Sequence, residues 1–204
     1  MVSNKVNGSQ WDEAVLISLL KQGDEEAFRV LIRRYQSKLF SVAYGITLDK
    51  EESLEIVQEV FLRVYLKIRT FREEARLSTW LHRITINQCW NWRKKWRRKF
   101  GLHHHLPARD DAADNPEMGS DEDNPGTLYE KKELGKIFRK WLRNLPEKGR
   151  TVFVLKEVEG LSYEEIARIL KIKQGTVSSR LFYARKRLKG LIKKYENEKG
   201  RHNV

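Results

Sequence analysis

The side chains best suited to contact a partner fall in two segments rich in lysine and arginine and free of carboxylates. One spans residues 76–109 and the other residues 171–195, with nine basic residues each. Solvated protein surfaces usually mix charges of both signs, so these segments indicate a polyanionic partner, most simply nucleic acid. The chemistry that they predict is binding to phosphates and to base edges.

The first segment carries a polar stripe along one face of a predicted helix. Residues three or four apart share a helix face, and asparagine offers both a hydrogen-bond donor and an acceptor. The stripe favours a nucleic-acid surface over an ordinary solvated face. Its members are Arg83, Asn87, Asn91, Lys94, Lys95 and Arg98.

Four tryptophans lie in the same segment. Trp90, Trp92 and Trp96 are interleaved with basic residues, so they either line a single-strand path or pack against a partner. Trp80 is expected to pack in the core.

The second segment contains the pattern of a helix-turn-helix between Tyr163 and Phe182. Ser162 and Glu165 form a predicted capping box, and a helix of eight residues follows. A tight turn at residues 171–173 leads to a basic helix from about Gly175, the kind of helix that enters the DNA major groove. An ordinary helical hairpin is the alternative.

Helical periodicity predicts four helices in the N-terminal half, the last from Thr79 to about Arg98. Their candidate N-caps are Asp12 or Ser9, Asp24, Asp49 and Ser78. In the third helix, the residues expected to face the core are Leu54, Val57, Phe61, Val64, Tyr65 and Ile68. Those expected on its opposite side are Glu55, Gln58, Glu59 and Arg63.

An acidic stretch separates the two basic segments, with seven carboxylates and no base from Asp110 to Asp123. Few large apolar residues lie there, so it cannot bury enough surface to offset its ordering entropy. We therefore predict an all-α protein of two small helical domains, residues 9–100 and 128–196, joined by a flexible acidic linker, residues 101–127. The C-terminal domain holds the helix-turn-helix.

Length, net charge and cysteine content limit the classes of protein to which the chain can belong. The 204 residues carry a net charge of +13 and include one cysteine, which cannot form an intramolecular disulfide and so fits a reducing compartment. No apolar run exceeds four residues, so we expect no membrane span. The first ten residues lack the basic-then-apolar pattern of a secretory signal.

Catalysis is not expected, since no nucleotide-binding glycine loop or nucleophile motif appears. Three consecutive histidines, His103 to His105, cannot all face one ion from a regular element, and His82 and Cys89 do not complete a suitable spacing. We therefore predict no metal, no cofactor and no catalytic residue, and we interpret the histidines as part of the linker.

Three motifs, in order, resemble the bacterial extracytoplasmic-function sigma factors, which are promoter-specificity subunits of RNA polymerase. They are EIVQEVFLRVYLKI from Glu55 to Ile68, LSTWLHRITIN from Leu77 to Asn87, and the segments LPE, EGLSYEEIA and GTVSSRL between Leu145 and Leu181. The resemblance covers both domains. It implies a cytoplasmic protein that binds core polymerase and reads the −10 element melted and the −35 element as duplex.

The resemblance also implies three sets of site residues. Those for docking on the clamp helices of the largest polymerase subunit are Glu55, Gln58, Glu59, Phe61, Leu62 and Arg63. Those for the −10 element are Arg76, Arg83, Asn87, Asn91, Lys94 and Lys95. Those for the −35 element are Thr176, Ser178, Ser179, Arg180, Phe182, Tyr183, Arg185 and Lys186.

Further partners are implied by the same resemblance: promoter DNA, the flap of the second-largest polymerase subunit, and an anti-sigma factor. Many relatives carry lysine or arginine where Ser178 and Tyr183 stand, which puts the −35 sequence itself in question. One alternative is a free-standing helix-turn-helix regulator that binds duplex DNA without polymerase. Another is an enzyme acting on nucleic acid, which would need a metal-binding carboxylate cluster that the basic segments lack.

Overall fold

The computed structural model describes residues 11–100 and 125–202. Within these ranges the chain forms α-helices and no strands, which confirms the predicted all-α fold. The predicted linker lies outside the described residues as far as residue 124. The helices are α1 (Glu13–Gln22), α2 (Glu25–Thr47), α3 (Lys50–Lys67), α4 (Leu77–Phe100), α5 (Pro125–Arg143), α6 (Glu147–Phe153), α7 (Tyr163–Leu170) and α8 (Gln174–His202).

Aspartate caps begin the first three helices, as the sequence predicts. The carboxylate of Asp12 accepts the amide of Val15 at 2.7 Å, and Asp24 and Asp49 make the equivalent bonds. Each bond satisfies one of the amides that a helix start leaves without an intrahelical partner. Helix α1 then ends at Gly23, whose φ of 84° favours glycine.

Helix α4 begins at Leu77, so the predicted cap at Ser78 is wrong and the serine lies in the first turn. The Leu77 amide instead donates to the carboxylate of Glu13 at 2.9 Å. Glu13 lies on α1, 64 positions earlier in the chain, so no local pattern indicates this partner.

The predicted inward stripe of α3 is correct for Val57, Phe61, Val64 and Ile68 and wrong for Leu54 and Tyr65. The last two are 43% and 61% exposed. Helix α3 packs on both α2 and α4, and the arc that faces them includes Ile56 and Val60 instead.

The C-terminal domain contains the predicted helix-turn-helix. The Ser162 hydroxyl accepts the Glu165 amide at 3.2 Å, and the Glu165 carboxylate accepts the Ser162 amide at 2.9 Å, which confirms the capping box. Lys171, with φ of 52°, ends α7, and α8 follows from Gln174. Val177, Leu181 and Leu188 of α8 are buried as expected.

Two features of this domain differ from the sequence expectation. Helix α5 begins at Pro125, three residues before the predicted domain start, and α8 continues past the predicted end at residue 196. The two helices support each other, since the Trp141 ring meets the Tyr195 ring edge-on at 5.9 Å. Between α6 and α7 the chain makes one turn of π-helix, Val154–Val158.

The two domains pack directly on each other. Helix α4 contacts α7, and α2 contacts α6 and the π-helical turn. Among the described residues, no helix is both long and apolar enough to cross a membrane.

The capping box gives a test of the fold. We expect Ser162→Ala to lower the free energy of unfolding by about 1 kcal/mol, because the Glu165 amide loses its acceptor. Ser37→Ala, on the exposed middle of α2, is the matched control and should change this energy by no more than about 0.5 kcal/mol. Urea unfolding followed by circular dichroism measures both, and equal effects would contradict the assignment.

Candidate polymerase and promoter interfaces

One side of α3 presents apolar side chains to solvent. Leu62, Tyr65 and Leu66 are 53%, 61% and 68% exposed. Beside them, the Arg63 guanidinium donates to the Glu59 carboxylate at 2.8 Å. A contiguous apolar patch with a charged border is typical of a protein-binding surface.

Phe61 does not belong to that surface, although it is one of the predicted core-binding residues. It is buried, and its ring meets Phe28 edge-on at 6.5 Å. It lies on the stripe of α3 that packs on α2, so it supports the exposed face from beneath. The other five members of the set reach solvent at least in part.

A groove of about 980 Å³ runs between α3 and α4. Its α3 wall is acidic, with Glu52, Glu55 and Glu59, and its α4 wall is basic. The groove brings the predicted core-binding residues together with part of the predicted −10 set. The α4 side chains that line it are Gln88, Asn91, Trp92, Lys94, Lys95 and Arg98.

The predicted −10 residues divide into two groups. Asn87, Asn91, Lys94 and Lys95 are exposed along α4. Arg83, in contrast, is half-buried and donates from Nη2 and Nε to the Arg168 carbonyl of α7, at 2.7 and 3.2 Å.

Arg76 also faces the C-terminal domain, where its Nη1 lies 3.8 Å from the carboxylate of Glu165. The structure therefore does not bring Arg76 and Arg83 onto one open face with the remaining four. Both side chains point toward the contact between the domains.

The tryptophans occupy different environments. The Trp90 indole N–H donates to the Thr151 hydroxyl at 3.4 Å, so this ring packs against the other domain. Trp92 lines the groove between α3 and α4. Trp80 is half-buried, and its ring lies 5.0 Å from that of Phe71, as expected for a residue at the core.

Helix α8 exposes most of the predicted −35 residues on one face. Phe182 and Tyr183 are 60% and 67% exposed, and their rings meet edge-on at 5.5 Å. Ser178, Ser179 and Lys186 are exposed beside them. Large aromatic rings with this much exposure favour contact with a partner.

The other three predicted −35 residues lie in different surroundings. Arg185 donates twice to the Glu157 carboxylate, at 2.6 and 3.0 Å, and this hydrogen bonding raises the pKa of the arginine. Arg180 is half-buried against the start of α6, and Thr176 is half-buried near the start of α8.

Two basic residues near this face were missed by the sequence analysis. Lys148 in the first turn of α6 and Arg187 of α8 line the same groove of about 630 Å³ as Tyr183 and Lys186. Arg187 lies one helical turn after Tyr183, so helical spacing alone could have predicted that the two residues share a face. The position of Lys148 depends on how α6 packs on α8, which the sequence does not show.

Among the described residues, the side chains considered as metal ligands do not form a cluster. Cys89 is buried, which raises the pKa of its thiol to about 12. His82 is buried too, with Nδ1 2.7 Å from the Ser78 carbonyl. The described ranges contain no group of three side chains suited to hold a metal. His103 to His105 lie outside the described residues.

Comparison with known proteins identifies both domains. Residues 31–99 match the family model of sigma-70 region 2, and residues 136–188 match that of sigma-70 region 4. The first match covers α3 and α4, and the second covers the helix-turn-helix. The fold and its surfaces thus define a protein of the sigma-70 class.

Similar proteins of known identity show which group within the sigma-70 class this chain belongs to. The chain is 35% identical over 186 residues to the ECF RNA polymerase sigma-E factor of Haemophilus influenzae, across 90% of this chain and 96% of that protein. It is 36% identical over 182 residues to the Escherichia coli K12 sigma-E factor, across 86% and 92%. The chain belongs to the extracytoplasmic-function (ECF) sigma factors. It is a promoter-recognising subunit of RNA polymerase and not a free-standing regulator.

Solved structures share the fold. CnrH, in complex with the cytosolic domain of CnrY, aligns with a TM-score of 0.65 at 20% identity, over 89% of this chain and 97% of that one. The sigma factor RpoE of Bartonella quintana, in complex with the anti-sigma factor NepR, aligns with a TM-score of 0.64 at 23% identity, over 81% and 96%.

Proposed function

We propose that the protein holds core RNA polymerase through α3, reads the −10 element with α4 and reads the −35 element with α8. The observation that carries this assignment is the separation of surface types. The apolar face with a charged border lies on α3, whereas the one-signed basic faces lie on α4 and α8. In this scheme the protein supplies binding energy, and the polymerase performs the chemistry.

Helix α3 is proposed to dock on the clamp helices of the largest polymerase subunit. Leu62 and Leu66 supply apolar area, and Gln58 and Glu59 supply hydrogen bonding at its edge. Because the acidic wall of the groove faces a basic wall on α4, a docking helix that enters it would meet charges of both signs. That arrangement favours one register of the partner over others.

Helix α4 is proposed to open and read the −10 element. Melting exposes the Watson–Crick edge of a base, and the amides of Asn87 and Asn91 can pair with such an edge. Lys94 and Lys95, one turn further on, are placed to hold the phosphates of the separated strand.

Helix α8 is proposed to lie in the major groove of the −35 element. Ser178, Ser179 and Tyr183 offer hydrogen bonds to base edges, and Lys186 offers charge to phosphates. Lys148 at the start of α6 would contact the same strand, since it shares a groove with Tyr183 and Lys186.

Two further partners follow from the same proposal. The flap of the second-largest polymerase subunit would contact the C-terminal domain, and an anti-sigma factor would cover the polymerase-binding surface. Support for the latter comes from the similar RpoE fold, which was solved with an anti-sigma factor. A polymerase subunit acts beside the chromosome, so the proposed location is the bacterial cytoplasm.

The polymerase assignment is tested on α3. We expect Gln58→Lys combined with Glu59→Lys to weaken binding to core polymerase roughly tenfold, equivalent to about 1.4 kcal/mol, because two positive charges replace a neutral and an acidic side chain on the docking face. Binding of labelled protein to core polymerase measures the effect. The control, Glu25→Lys with Gln36→Lys, makes the same charge change on exposed positions of α2. Equal binding by the two double variants would exclude α3 as the docking helix.

The −10 assignment is tested with two templates. We expect Asn87→Ala and Asn91→Ala together to reduce transcription from a duplex promoter more than from one already melted at −10. The reason is that the hydrogen bonds of these two amides help to open the DNA duplex. At about 1 kcal/mol per bond, the loss on duplex is at least fivefold. Asn197→Ala, an exposed asparagine on α8, is the control. The same loss on both templates would assign these residues to polymerase binding instead.

The −35 assignment separates phosphate contacts from base contacts. We expect Lys186→Ala to weaken all −35 sequences alike and to lower the salt slope by about one unit. Tyr183→Ala or Ser179→Ala should instead change the ranking of −35 sequences, since a base contact contributes about 1–3 kcal/mol of discrimination. A library of −35 variants transcribed at several salt concentrations measures both.

Lys38→Ala, an exposed lysine on α2, serves as the control for charge alone. A changed ranking with Lys186→Ala and an unchanged ranking with Tyr183→Ala and Ser179→Ala would mean that the helix faces are assigned the wrong way round.

A further inference from the structure

An arginine at the edge of the proposed −35 surface is paired within the C-terminal domain. Arg185 follows Ser178 by seven residues and Phe182 by three, so the three side chains lie along one side of α8. A phosphate beside the bases that this side reads would come close to a free guanidinium. In the structure, Nη2 and Nε of Arg185 both donate to Oε1 of Glu157, at 2.6 and 3.0 Å.

The partner carboxylate comes from the π-helical turn, 28 positions before Arg185 in the chain. Residues 171–195 contain no acid, so this stretch of α8 has no carboxylate of its own. Val154 and Leu155, which begin the turn, are fully buried and fix it in place. The turn therefore brings a negative charge to a stretch of α8 whose own charges are all positive. Turns of this kind are rare and are frequent at functional sites.

Tyr163, the first residue of α7, contacts the same guanidinium. Hydrogen bonding to Glu157 and, to a lesser extent, interaction with the Tyr163 side chain raise the pKa of Arg185. Tyr163 is held in turn by Lys156, whose Nζ lies 5.5 Å from the centroid of the tyrosine ring and donates to the Leu161 carbonyl at 3.1 Å. The π-helical turn, α7 and α8 thus meet at Arg185.

Transfer of Arg185 from this pair to a DNA phosphate is unfavourable. The guanidinium would exchange two hydrogen bonds to a carboxylate for bonds to another anion. The Glu157 side chain, which is 36% exposed, would then face the phosphate and repel it. Because an exposed ion pair is weak by itself, this repulsion is the main effect that keeps a phosphate away from Arg185.

We propose that Glu157 withholds the charge of Arg185 from DNA, so that Arg185 joins the elements of the helix-turn-helix instead of binding a phosphate. Glu157 then limits the part of the affinity that is independent of sequence. This part matters because a chain of net charge +13 meets on the order of 10⁶ or more competing sites in a genome. The role presupposes that α8 reads the −35 element, as proposed above.

Removal of the Glu157 charge tests this role in the full-length protein. Fluorescence anisotropy at several salt concentrations measures binding to two labelled duplexes, the −35 sequence that the wild type prefers in the promoter library and a scrambled sequence. Glutamine can still accept a hydrogen bond but does not repel a phosphate. We expect Glu157→Gln to bind both duplexes roughly fivefold more tightly at about 0.15 M salt. The salt slope should steepen by about 0.9 unit, because one more phosphate is neutralised.

Replacement of both members of the pair gives the sharper comparison, because Glu157→Gln with Arg185→Ala leaves the net charge unchanged. We expect this double variant to return to the wild-type affinity and salt slope, since no guanidinium is left to be freed. A salt slope about one unit below the wild-type value would mean that Arg185 already binds a phosphate, and it would overturn the proposal.

Glu133→Gln is the control for charge alone. It removes a carboxylate of similar exposure that pairs with Lys136 on α5 at 2.8 Å. An equal gain in affinity with Glu133→Gln would assign the effect to net charge and overturn the role of Glu157. Circular dichroism verifies the fold, and Glu157→Ser, with the same expected result, is used if Glu157→Gln is misfolded.

The two levels of the assignment fail differently. Equal binding of both duplexes by the wild-type protein would count against the −35 assignment of α8 and would remove the basis of the role. A clear wild-type preference, with affinity and salt slope unchanged in Glu157→Gln, would overturn the role of Glu157 alone. Weaker binding by a folded Glu157→Gln would also overturn it, because Glu157 would then support DNA binding.

Discussion

The absence of any carboxylate on α4 is the constraint on which the rest of the structure depends. A helix with this much positive charge is stabilised only by acids from elsewhere, or by a polyanion. Glu147 of the C-terminal domain meets Arg93 and Arg97, and the acidic wall of α3 faces the basic end of α4 across the groove. The groove between α3 and α4, the contact between the domains and the proposed promoter surface therefore all use cations of this one helix.

Local patterns predicted those features whose causes lie within one helical turn. The caps at Asp12, Asp24 and Asp49 and the capping box at Ser162 are of this kind, since donor and acceptor are three residues apart. The start of α4 was misplaced because its acceptor, Glu13, comes from another helix. The first residues of α5 were assigned to the linker because Pro125 and Gly126 are typical of one.

The sequence predicted which helices form the candidate interfaces. It predicted much less well which face of each helix is exposed. Composition identified α4 and α8 as basic, and the exposed rings of Phe182 and Tyr183 lie where the pattern puts them. Periodicity does not say how a second domain covers a helix, so the contacts of Arg76 and Arg83 were not foreseen. The shared groove was not foreseen either, since it depends on the packing of α3 on α4.

Gly45 shows how packing between distant parts of the chain can be visible in a sequence as a residue that is unfavourable in its own helix. Gly45 lies in the last turn of α2, two residues before the helix ends at Thr47. Glycine within a helix costs up to about 1 kcal/mol relative to alanine. The end of α2 does not require this glycine, because the positive φ at the helix end belongs to Leu48 and not to Gly45. The requirement comes from Val154, more than 100 positions later, which any side chain at residue 45 would strike. A glycine on a buried helix face thus indicates close approach of a side chain from another element. Here that element is the π-helical turn of the C-terminal domain.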